Sequence, residues 1–76
     1  MRDHRWHETP FIVPARTMTG LATQVTLGLV DTGDGLRRAI RVGTDSSPAI
    51  LPRQAMTELV GHARAMVVRE LPGDRR

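Results

Sequence analysis

The chain has 76 residues, a formal charge of +3, eleven arginines against no lysine, and no cysteine. The lack of cysteine excludes disulfides, thiol catalysis and cysteine-ligated zinc or iron–sulfur clusters. No apolar run approaches the about 20 residues of a membrane span, and Asp3, His4, Trp6 and Glu8 stand where a signal segment would be apolar, so a soluble, cytoplasmic chain with no membrane partner is expected.

A domain this short has a thin core. Burial must offset roughly 1.5 kcal/mol of ordering cost per residue, so a second copy is the expected way to finish it. Residues 1–8 are polar and rich in His and Arg and read as a flexible arm, 9–71 as one domain, and 72–76 as a frayed tail. Pro10 and Pro14 bracket Phe11-Ile12-Val13, a β-prone piece expected beside a sheet edge or across a subunit boundary, with the prolines limiting its ladder. Trp6 and Phe11 are the only aromatic residues. Burying one fully stabilises by about 1.5–3 kcal/mol, so Trp6, Phe11, Ile12 and Val13 are the expected partner-binding set.

Residues 23–42 read as a β-hairpin folded at Asp31-Thr32-Gly33-Asp34-Gly35. Thr23, Val25, Leu27 and Leu29 share one face of the first arm, and Leu36, Arg38, Ile40 and Val42 one face of the second. A tight Thr32-Gly33 turn predicts Leu29 opposite Leu36, Val25 opposite Ile40 and Thr23 opposite Val42, which leaves Arg38 as a misfit opposite Leu27. Ala49-Ile50-Leu51 predicts a brief further strand, and Pro52, which has no amide hydrogen to leave unpaired, a helix start. From there Ala55, Met56, Leu59, Val60, Ala63, Met66, Val67 and Leu71 form an apolar stripe at helical spacing, stopped by Pro72-Gly73. The expected fold is α+β: a small antiparallel sheet built on the long hairpin, its apolar face packed by one C-terminal helix.

Few residues suggest chemistry. Leu29-Val30-Asp31-Thr32-Gly33 resembles the hydrophobic-hydrophobic-Asp-Thr-Gly turn of pepsin-like and retroviral aspartic proteases. That resemblance implies two such Asp residues sharing a proton, the second copy of Asp31 coming from another protomer. It covers five residues and departs at Asp34-Gly35-Leu36-Arg37, so Asp31 is read instead as a turn residue accepting backbone hydrogen bonds. Asp31, Asp34 and Asp45 lack the spacing and terminal Glu of a calcium loop. His4, His7, Glu8 and His62 supply metal-ligand types without a scaffold that joins them, and Ser46 and Ser47 have no nucleophile elbow. No catalytic residue, metal or cofactor is therefore expected.

Gln24, Arg37 and Arg41 share the outward face of the hairpin, with Arg38 reaching round an edge, and planar guanidinium groups suit phosphate. The leading expectation is a homodimeric protein-interaction or regulatory domain, free to bind a second protein. The alternative is a DNA- or RNA-binding accessory protein that uses Gln24, Arg37, Arg38 and Arg41.

Overall fold

The computed structural model describes residues 6–73. Its elements are β1 (Phe11–Arg16), β2 (Ala22–Asp31), β3 (Leu36–Val42), β4 (Ala49–Ile50) and α1 (Arg53–Val68). The strands form one antiparallel sheet in the order β1-β2-β3-β4, each paired with its neighbour in sequence. The α+β class, the antiparallel sheet and the single C-terminal helix are those expected from the pattern.

The hairpin register differs from the tight-turn expectation by two residues: Leu29 pairs with Arg38, Leu27 with Ile40 and Val25 with Val42. The cause lies in the turn. Residues 32–35 form a wider loop in which Thr32 donates to the Gly35 carbonyl from its backbone at 3.2 Å and from Oγ1 at 3.1 Å. Gly33 and Gly35 have φ of +91° and +129°, which only glycine adopts readily. A shift of two leaves every side chain on its predicted face, so the two-faced character of the hairpin survives.

Strand β1 is longer than the piece between the prolines. It runs through Pro14, which pairs with Gln24. The 2.9 Å bond from the Thr17 amide to the Leu21 carbonyl sets the alternation along this pair and turns the Pro14 nitrogen to the open edge, where no ladder donor is required. The chain before β1 is also joined to the sheet. Trp6 bridges to Val30, and the His7 amide donates to the Leu29 carbonyl at 2.8 Å. Only residues 6–8 of the expected arm are described, together with Pro72 and Gly73 of the expected tail.

The packing reverses the expected inside and outside. On the sheet face carrying Thr26, Gly28, Val30 and Ala39, the side chains of Thr26, Val30 and Ala39 are buried, at 1%, 6% and 0% exposure. Above Gly28 lie Pro10 and Trp6: a Cβ placed on Gly28 would stand 3.0 Å from Pro10 Cβ and 3.2 Å from Trp6 Cε3. Small residues in the strands thus make room for one large ring from the N-terminal segment. On the opposite face, Val25, Leu27, Leu29 and Ile40 are only half-buried, and Phe11, Val13, Leu36 and Val42 are exposed.

The helix does not cover that apolar face. It begins after Pro52, whose carbonyl accepts from the Met56 amide at 3.0 Å, and ends at Val68 rather than at Pro72-Gly73. Only Ala55 and Met56, in its first turn, are half-buried, and it has no buried residue. The expected packing of α1 across the hairpin is therefore corrected: sheet and helix each present an apolar surface, and beyond the first turn of α1 the helix is not packed on the sheet.

Candidate functional site

The two faces of the sheet have different chemistry, and the pleat assigns each residue to one of them. The Leu27 face runs in rows across the strands. Phe11, Leu27, Ile40 and Ala49 form one row, and Val13, Val25 and Val42 another. Leu29 pairs with Arg38 and Asp31 with Leu36 at the hairpin end. Eight large apolar side chains therefore lie on one side of a single sheet, with Arg38 and Asp31 at its margin.

The Thr26 face carries Ile12, Pro14 and Arg16 from β1, Ala22, Gln24, Gly28 and Val30 from β2, Arg37, Ala39 and Arg41 from β3, and Ile50 from β4. No strand position on this face is acidic. The Arg41 guanidinium carbon stands 5.6 Å from the centroid of the Trp6 ring, within cation–π range. Thr26 Oγ1 and Arg41 Nε, on paired residues, are buried without a hydrogen-bond partner. Arg37 is exposed and donates from Nη1 to the Leu36 carbonyl at 3.0 Å, while Arg16 donates from Nη1 to the Gly20 carbonyl at 2.9 Å. Each keeps further donors for a ligand.

The structure splits both predicted residue sets. Of the four partner-binding residues, Phe11 and Val13 lie on the Leu27 face, while Ile12 and Trp6 lie on the other, with Trp6 already engaged by its own sheet. Of the four basic-face residues, Gln24, Arg37 and Arg41 share the Thr26 face, and Arg38 lies on the apolar face opposite Leu29. Two contributors escaped sequence reasoning. Arg16 became a strand residue only because β1 passes Pro14, and Gly28 in mid-strand was the available signal for a close approach by another group.

The Asp31 turn behaves as a turn. Asp31 Oδ1 accepts from the Gly33 amide at 3.1 Å, and the side chain is exposed. Asp31→Ala is expected to lower stability by about 0.5–1.5 kcal/mol, with Asp31→Asn retaining most of it, as read by urea denaturation. Among the described residues no group of three His, Asp or Glu side chains is placed to hold a metal ion, and His4 lies outside the described residues. No described helix is long and apolar enough to cross a membrane. In comparisons with known proteins, no family model, no curated protein and no solved structure matches the chain.

Proposed function

We propose that the chain is a non-catalytic, cytoplasmic interaction module that works as a homodimer, closing its Leu27 face and the apolar stripe of α1 against those of a second copy. The observation that carries this reading is the surface left over. On the Leu27 face Phe11, Val42, Val13 and Leu36 are 73%, 64%, 56% and 44% exposed, and along α1 Val67, Met66, Val60 and Leu59 are 81%, 54%, 51% and 41% exposed. Apolar side chains contiguous over two elements are the kind of surface that a partner covers, and a standard interface removes about 800 Å² from each side.

The occupant is argued from complementarity. A sheet face and a helix stripe are the two layers of an ordinary α+β core, and here one chain supplies both without bringing them together. Two copies related by a twofold axis offer each apolar surface a matching one, which is how a self-complementary interface is built. Phe11 and Val13 belong to that interface by their position on the Leu27 face; Ile12 and Trp6 do not.

Sedimentation equilibrium of the full chain at micromolar concentration tests the reading. The expected mass is twice the 8.4 kDa of one chain. A single species at the chain mass, folded by circular dichroism, would overturn it.

A further inference from the structure

The Thr26 face has a composition that a plain solvated surface does not require. Its strand positions include three arginines, Arg16, Arg37 and Arg41, together with Gln24 and no carboxylate. Trp6, the only tryptophan in the chain, is held between the rows of Arg37 and Arg41: it bridges to Val30, the partner of Arg37, and its ring reaches Gly28 and Arg41. Arg37 and Arg41 are four residues apart on one strand, a separation of about 13 Å at strand rise.

We infer that this face binds single-stranded nucleic acid, with Arg16, Arg37 and Arg41 on the phosphates, a base stacked on the platform formed by Trp6 and the Arg41 guanidinium, and Gln24 beside it. Guanidinium groups neutralise the backbone without reading sequence, and an aromatic ring among them adds stacking that any base can satisfy. A duplex keeps the flat faces of its bases covered by their neighbours, so the ring selects a single strand. Gln24, with one acceptor and two amide donors, can bond the edge of an unpaired base. The Leu27 face plays no part, so the inference stands or falls apart from the dimer.

Trp6 makes the test direct, because all indole emission comes from this one site. The full chain is titrated with a twelve-nucleotide single strand of mixed sequence, with the same sequence as a duplex, and with poly-glutamate, each at 50 and 200 mM salt. The expected result is saturable quenching by the single strand. Three phosphate contacts on a single strand give a logarithmic salt slope of about −2, hence roughly twentyfold weaker binding at the higher salt.

Arg37→Gln, at an exposed position, is expected to reduce that slope by about 0.7, while Arg64→Gln on the helix leaves it unchanged. With an end-labelled oligonucleotide and anisotropy detection, Trp6→Ala is expected to weaken binding roughly 5- to 150-fold, and Trp6→Phe less. Absence of quenching, equal binding of the duplex or of poly-glutamate, or an Arg37→Gln slope equal to the parent's would each overturn the inference. Arg37→Gln also keeps the test decisive if the Trp6 variants fail to fold.

Discussion

Phe11→Ser is expected to weaken self-association roughly a thousandfold while leaving the fold of each protomer in place. In the isolated chain Phe11 is 73% exposed, and a change at so open a surface position ordinarily moves stability by no more than about 0.5 kcal/mol. In the proposed dimer the ring is removed from water in both copies. Taking about 2 kcal/mol for each buried ring, the pair contributes about 4 kcal/mol, or roughly three powers of ten in the dissociation constant. Val42→Thr, two strands away on the same face and 64% exposed, should act in the same direction with a smaller effect. Ile12→Thr supplies the control: it is adjacent in sequence and 55% exposed, but it faces the other way. A dilution series by sedimentation velocity reads all three, with circular dichroism to verify folding. Equal effects of Phe11→Ser and Ile12→Thr would dismiss the Leu27 face as the seat of association.

The second large effect is expected at Gly28. An added methyl group there meets Pro10 Cβ at 3.0 Å, Trp6 Cε3 at 3.2 Å and Pro10 Cα at 3.3 Å. Two of these are atoms of a rigid ring residue, one in the backbone, so the strain is not relieved by turning a flexible side chain. Overpacking of this kind costs about 1–3 kcal/mol, which in a domain of this size lowers the melting temperature by roughly 5–20 °C. Gly28→Ala should therefore melt earlier, and its indole emission should move to longer wavelength as Trp6 is lifted from the strand. Unchanged melting and emission would mean that the ring does not rest over Gly28.

Alternation made the hairpin, its two faces and its turn legible in the sequence, since Val25, Leu27 and Leu29 alternate along the first arm and Leu36, Ile40 and Val42 along the second, with only Arg38 out of pattern. It did not determine register. A two-residue shift preserves the face of every side chain, so only the hydrogen bonds of Thr32 and the two positive-φ glycines select between a narrow and a wide loop. Nor did it determine which face is covered. The pattern assigns the more apolar face to the helix, whereas the side built from Thr26, Gly28 and Ala39 admits Trp6 because those residues are small. Hydrophobicity ranks the faces correctly, but the room left for a bulky ring decides where the N-terminal segment settles. The stripe on α1 was equally plain, while its lack of a partner within the chain is a tertiary fact that periodicity does not encode.

Proline in mid-strand has one further effect. An outermost strand with a full row of outward amide hydrogens is a template on which identical chains can add without end, the route to fibres. Pro14 removes the central donor from that row. Growth by strand addition at the β1 edge is thereby interrupted at its middle, which suits the proposed dimer, whose contacts are the side chains of the Leu27 face.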